Sequence, residues 1–136
     1  METHGMLAPD GAEDAREQYE VVGPAAQTVV KETAKAMRFD REEYDERVTS
    51  DVVETARDAL FASLLEVHTG TREEFENGVP AEFDVYEEGS KNVEYVAWHV
   101  APAAGTVVAA TYQRKEAAAV ATLRRIVFGR VYRDIV

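Results

Sequence analysis

The apolar residues in the first half of the chain recur every three or four positions, which is the spacing of amphipathic helices. After an extended lead-in over residues 1–8, the pattern predicts one helix over 11–22, capped by Asp10, and a second over 24–39. Pro24 suits the first turn of the second helix, because a proline there gives up no helical hydrogen bond. The first forty residues are therefore predicted to form two consecutive helices.

A long helix is predicted over 51–67, after an acidic stretch from Asp40 that is either a short helix or a solvated turn. Phe61 and Leu65 lie well round from the main apolar stripe of this helix, which consists of Val52, Val53, Ala56, Ala59, Leu60, Ser63 and Leu64. A helix that is apolar on more than one side is usually covered on more than one side, so we expect this one at the centre of the core. A capping-box pattern at Thr71 and Glu74 then predicts a short helix that ends near residue 78.

Beyond residue 81 the hydrophobic period changes to two, which is the period of strands. Three segments rich in valine and aromatic residues, 82–88, 93–100 and 106–113, predict a three-stranded antiparallel meander. The second and third segments are apolar on both faces, so both faces of the sheet are expected to be covered. Residues 107–109 would give the meander a smooth outer edge that invites self-pairing.

A last helix is predicted over 114–134, packed on the sheet. The expected fold class is therefore α+β, with a helical N-terminal half, the three-stranded meander and a long C-terminal helix. The length of 136 residues corresponds to a single domain over 1–136.

The charge balance restricts the partners that this chain can bind. Aspartate and glutamate number 26 against 15 lysines and arginines, a net charge of −11, which argues against nucleic acid and anionic membranes. The scarcity of lysine and the abundance of alanine and valine are typical of proteins from a salt-saturated cytoplasm, where screening over roughly 3 Å at molar salt relieves self-repulsion. The chain also has no signal region and no membrane-spanning run. The sequence thus predicts a soluble, cytoplasmic, halophilic protein, with an ordinary acidic protein from a GC-rich genome as the alternative.

Few residues suit metal or cofactor chemistry. The chain has no cysteine, and its histidines at positions 4, 68 and 99 form no metal-binding pair, so no metal and no cofactor are expected. Acidic residues cluster around the first predicted strand, at Glu82, Asp84, Glu87, Glu88 and Glu94. Such clusters arise by chance in an acidic chain, and we expect solvated surface there.

Three stretches of the chain carry a resemblance to a known family. They are APDGAEDAREQYE over 8–20, RVTSDVVETARDALFASLLEV over 47–67 and ATLRRIVFGRVYRD over 121–134. In these stretches the chain resembles a haloarchaeal family of domains of unknown function of about this length. The resemblance implies a halophilic origin and supplies no activity.

Arg124 falls in the middle of the apolar arc of the last predicted helix, whereas Arg125 falls on the polar arc. A desolvated guanidinium must be paired, because an unpaired buried charge costs several kcal/mol. Arg124 is therefore predicted to form a structural ion pair with an acidic residue such as Asp51, Glu54 or Asp58, with a clamp on an anionic ligand as the alternative. If Gly129 breaks the helix, Arg124 need not lie on the apolar arc, and neither interpretation would hold.

His99 follows Trp98 on the second predicted strand, so the two side chains are expected on opposite faces of the sheet. Tyr95 shares the face of His99. No serine or second histidine lies close enough in sequence to form a triad, and no catalytic residue is assigned. His99 is expected to be a surface or hydrogen-bonded structural histidine, with a catalytic or binding role as the alternative.

Two functions are compatible with these features. The favoured one is a non-enzymatic interaction or assembly module, acting as a homo-oligomer or with another protein. The alternative is a small ligand-binding protein or enzyme, with Arg124, His99 and Tyr95 in a pocket between the sheet and the C-terminal helix. A deep pocket lined by these three residues would favour the alternative, and an exposed apolar patch would favour the interaction module.

Overall fold

The computed structural model describes all 136 residues and contains five strands and six α-helices, which confirms the α+β class. The elements are β1 (Glu2–His4), α1 (Ala12–Val21), α2 (Gly23–Ala36), α3 (Arg41–Arg47), α4 (Ser50–Leu64), β2 (Val67–Thr71), α5 (Arg72–Gly78), β3 (Asp84–Glu88), β4 (Tyr95–Ala101), β5 (Thr106–Tyr112) and α6 (Glu116–Val127). A π-helical turn over Phe128–Tyr132 continues α6. The predicted C-terminal helix is therefore present, and Gly129 lies in its last, wider turn.

The five strands form one sheet in the order β1-β2-β4-β5-β3, in which only the β3–β5 pair is parallel. The predicted three-stranded meander is wrong, because β3 pairs with β5 and the free edge of β4 is taken by β2. Consequently β5 is an inner strand, and residues 107–109 do not form the expected outer edge. The edges of β4 and β5 are paired with the short strands β2 and β3, which have no strong hydrophobic pattern and which periodicity therefore does not place.

Side-chain caps mark the starts of three helices. Asp40 caps α3, which is therefore the short helix allowed by the sequence, and Thr49 caps α4. Thr71 and Glu74 form the predicted capping box of α5. Each cap satisfies a backbone N–H that has no partner within the helix.

Two predicted helix boundaries are wrong. Asp10 does not cap α1, because Gly11 occupies the N-cap position and makes no side-chain hydrogen bond. α4 ends at Leu64 and does not continue to residue 67. There the backbone finds other partners, since the N–H of Glu66 donates to the carbonyl of Leu7 at 2.8 Å.

The main core lies between one face of the sheet and helices α1, α4 and α6. Phe61 is fully buried at its centre and makes edge-to-face ring contacts with Tyr19, Phe128 and Tyr132. Such aromatic pairs add roughly 0.5–1.5 kcal/mol each beyond the burial of their area. This packing attaches the C-terminal turn to α4 and to the sheet.

The opposite face of the sheet carries a smaller core under α5. Trp98 is buried there against Phe75, at a ring-centroid distance of 5.3 Å. The prediction that both faces of the sheet are covered is thus confirmed, and Trp98 and His99 lie on opposite faces as expected. None of the helices is long and apolar enough to cross a bilayer.

Candidate functional site

His99 is almost completely buried, and both of its ring nitrogens have partners. Nδ1 lies 2.6 Å from the carbonyl oxygen of Glu66, and Nε2 lies 2.6 Å from the hydroxyl of Tyr132. A carbonyl can only accept, so Nδ1 carries the hydrogen and Nε2 accepts the hydrogen bond from Tyr132. Burial lowers the pKa of His99, which keeps the imidazole neutral. Both ring nitrogens of His99 are thus engaged in hydrogen bonds within the protein.

Arg124 is half-buried and has a different partner from the predicted one. Its Nε–H donates to the carbonyl of Leu65 at 2.9 Å, and none of the ion pairs in the structure includes it. The predicted ion pair is therefore wrong, and Asp58 instead accepts a hydrogen bond from the Tyr19 hydroxyl. Gly5 makes room for the guanidinium, since a Cβ at that position would lie 2.6 Å from an Arg124 nitrogen.

His99 and Arg124 bind neighbouring carbonyls, those of Glu66 and Leu65, at the turn from α4 into β2. Tyr95 lies at the other end of β4, four residues or roughly 13 Å away along the strand. Its ring is partly exposed and stacks on Tyr112 at a centroid distance of 5.7 Å. The three predicted site residues therefore do not converge on one pocket.

The predicted acidic cluster is divided among different contacts. Glu87 forms a bidentate ion pair with Arg72, with N–O distances of 2.7 and 2.9 Å, which ties β3 to the start of α5. Glu88 accepts a hydrogen bond from the Tyr86 hydroxyl. Glu82 and Asp84 are exposed. These carboxylates have structural or solvated roles and form no common site.

An apolar groove lies between α2 and α4, and Arg47 at the end of α3 contributes to its lining. Its volume is about 610 Å³, and we call it the α2–α4 groove. It is lined by Val29, Val30, Thr33, Ala34, Met37, Phe39, Arg47, Val48, Val52, Thr55, Ala56 and Ala59. Nine of these twelve residues are hydrophobic, and Arg47 is the only charged one. Val29, Met37 and Val52 are respectively 46%, 60% and 42% exposed.

This groove is formed largely by the residues that sequence periodicity assigns to the core. The stripe of α4 that contains Val52, Ala56 and Ala59 lies along the groove, while Phe61 and Leu65, away from that stripe, are fully buried. Periodicity locates an apolar stripe but does not say whether another element covers it. Here α2 covers the stripe only in part.

A second group of polar side chains meets between the sheet edge and the start of α6. His4 Nε2 lies 2.9 Å from Glu116 Oε1 and 3.7 Å from Glu2 Oε2. The buried hydroxyl of Thr69 donates to the same Glu116 oxygen at 2.7 Å. The hydrogen bond from Thr69, and then that from His4, lowers the pKa of Glu116. We call Glu2, His4 and Glu116 the β1–α6 cluster.

The residues of this cluster share no motif in the sequence. Its two halves are separated by 112 residues, and neither half contains a recognised motif. The alternation of Glu2 and His4, which places both side chains on one face of a strand, is the only local signal.

Together these features define a protein with a five-stranded mixed sheet covered by helices, an open apolar groove and a small histidine–carboxylate cluster. Residues 6–133 match a family of unknown function, DUF5809, so the chain belongs to that family. No curated protein and no solved structure matches the chain.

Proposed function

We propose that this protein is a non-enzymatic assembly module, and that a second copy of the same chain binds in the α2–α4 groove. The observation that carries the proposal is the continuous apolar surface of the groove, from which Val29, Met37 and Val52 project into solvent. Exposed apolar patches of this kind mark interaction sites more often than scattered surface residues do.

The composition of the groove favours a copy of the same chain as the occupant. Large side chains, such as Val29, Met37 and Val52, lie beside small ones, such as Ala34 and Ala56, on one surface. In a two-fold symmetric dimer each surface must supply both the projecting groups and the hollows that receive them. Two helix pairs packed in this way would form a four-helix layer that buries both stripes.

The charges of the chain support the same choice. The chain carries a net charge of −11, yet no acidic residue lines the groove. Two copies could therefore meet there without burying carboxylates, whose desolvation would oppose association. The negative charge of the rest of the molecule disfavours anionic membranes and nucleic acid as occupants.

The proposed setting is a salt-rich cytoplasm. The composition supports it, because a chain with this excess of acidic residues repels its own copies in dilute buffer, and molar salt screens that repulsion. The assembly should therefore be tighter in molar KCl than in dilute buffer.

The test is the molar mass in molar KCl, measured by light scattering after size exclusion over a range of concentrations. We expect a dimer for the wild type and a monomer for Val29→Glu and Met37→Glu. Val21→Glu is the matched control, because Val21 is 76% exposed at the end of α1 and does not line the groove. Circular dichroism of each variant would verify that it remains folded.

Two results would overturn the proposal. A wild type that is monomeric up to millimolar concentration would exclude self-association. A dimer that survives both groove substitutions, or that Val21→Glu disrupts equally, would show that the interface lies elsewhere.

A further inference from the structure

We infer that the β1–α6 cluster is a binding site for one divalent transition-metal ion, with Glu2, His4 and Glu116 as its protein ligands. This site is separate from the α2–α4 groove and does not depend on the proposed function. It also corrects the expectation of no metal site, which rested on the absence of a metal-binding pair among the three histidines in the sequence.

The three ligand residues are brought together by the tertiary fold and not by a local sequence motif. Glu2 and His4 project from the same face of β1, which pairs antiparallel with β2 so that Glu2 lies opposite Thr69. Glu116 is the first residue of α6, which packs on that face of the sheet. The ligands thus come from the two ends of the chain.

The distances fit a metal centre that needs only small adjustments. One ligand atom from each residue lies within 4.8 Å of the other two, and His4 Nε2 is 2.9 and 3.7 Å from the two carboxylates. Ligand atoms bound to zinc at about 2.0–2.2 Å in a tetrahedron lie roughly 3.3–3.6 Å apart. The two distances from His4 bracket this spacing, and closing the remaining gap between the carboxylates to tetrahedral spacing would need side-chain movements on the order of an ångström, with the fourth position left for water.

Thr69 supplies the support that metal ligands commonly receive from a second layer of residues. Thr69 is only 3% exposed, and its hydroxyl orients Glu116 through a hydrogen bond of 2.7 Å. Outer partners of this kind orient a ligating carboxylate and raise metal affinity. Thr69 lies on β2, a separate element from those that carry the ligands.

The charges at the site also favour a cation. Arg72 neutralises Glu87 elsewhere in the protein, but no lysine or arginine lies within ion-pair distance of Glu2 or Glu116. Within ion-pair distance, the imidazole of His4 is the only group that could carry a positive charge beside the two carboxylates. A divalent ion would balance their charge, and the mixed nitrogen and oxygen donors favour a transition metal such as Zn²⁺ over Mg²⁺ or Ca²⁺.

The test is calorimetric titration of the untagged, metal-free protein with ZnCl₂, with MgCl₂ as the comparison ion. We expect one saturable zinc site per chain and no comparable magnesium binding. His4→Ala and Glu116→Gln should abolish zinc binding, and Thr69→Val should weaken it by about 10-fold or more.

His68→Ala is the matched control, because His68 lies on the neighbouring strand and also contacts a glutamate, but does not belong to the cluster. It should bind zinc like the wild type. The absence of a saturable zinc site, or one that persists in His4→Ala, would overturn the inference. Equal loss in His68→Ala would overturn it as well. Co²⁺ in place of Zn²⁺ provides a second readout, since its visible absorption reports the geometry of a bound site.

Discussion

Replacement of Tyr132 by phenylalanine removes one oxygen from the centre of the core and isolates the His99 hydrogen bond. Tyr132 is fully buried, and burial raises its pKa, so that its hydroxyl keeps the proton that it donates to His99 Nε2. The other nitrogen of His99 already donates to Glu66. Tyr132→Phe therefore leaves a buried acceptor without a partner, while the ring still packs edge-to-face against Phe61.

The expected cost follows from this geometry. Leaving a buried polar group unsatisfied costs about 1–3 kcal/mol, and packing losses should be small because the ring is retained. Tyr86→Phe is the matched control, since it removes a hydroxyl that bonds Glu88 in a solvent-exposed position. Surface changes of that kind usually stay within about 0.5 kcal/mol.

The assay is urea denaturation at fixed molar KCl, which leaves the ionic strength constant. We expect the midpoint to fall clearly for Tyr132→Phe and to stay almost unchanged for Tyr86→Phe. Equal shifts in the two variants would refute the assignment of His99 as a neutral acceptor that depends on Tyr132.

Three further predictions concern stability. Arg124→Ala should cost about 1–2 kcal/mol in urea, because it frees a single carbonyl and leaves no buried carboxylate; Arg125→Ala at the exposed neighbouring position should be nearly silent, and equal effects would contradict this reading. Because burial lowers the pKa of His99 in the folded state, its contribution to stability should be lost as the pH falls below about 6.5, the value in the unfolded chain. His99→Gln, compared by urea titration between neutral and acidic pH, should show a smaller acid loss than the wild type, and an identical loss would exclude His99 as its source. Finally, the melting temperature should rise with KCl into the molar range, because salt screens the net charge of −11, and a flat or falling curve would argue against a halophilic protein.

Local patterns were sufficient for several features of this protein. The switch from helical to strand period near residue 81 correctly predicts an α+β fold, and the Thr71–Glu74 spacing correctly predicts a capping box. Alternation along β4 correctly separates Trp98 from His99. These features depend on residues within a few positions of one another, so a single sequence contains them.

Pairing between distant segments could not be predicted in the same way. β1 and β2 are strands of only three and five residues, and β3 pairs in parallel with β5, which lies beyond β4 in the sequence. The apolar stripe of α4 was detected, but its partial exposure depends on where α2 lies. The partner of Arg124 is a backbone carbonyl, and any residue type can supply one.

The sequence by itself determined the fold class, most helix starts and the charge of the surface, because periodicity, capping and composition are local or additive properties. Only the tertiary structure decided the strand order, the openness of the α2–α4 groove and the meeting of His4 with Glu116 across 112 residues. Each of these three features depends on contacts between segments that are far apart in the sequence. Closing a long loop costs entropy that contacts between distant segments must offset, and no short segment of the sequence contains both partners of such a contact.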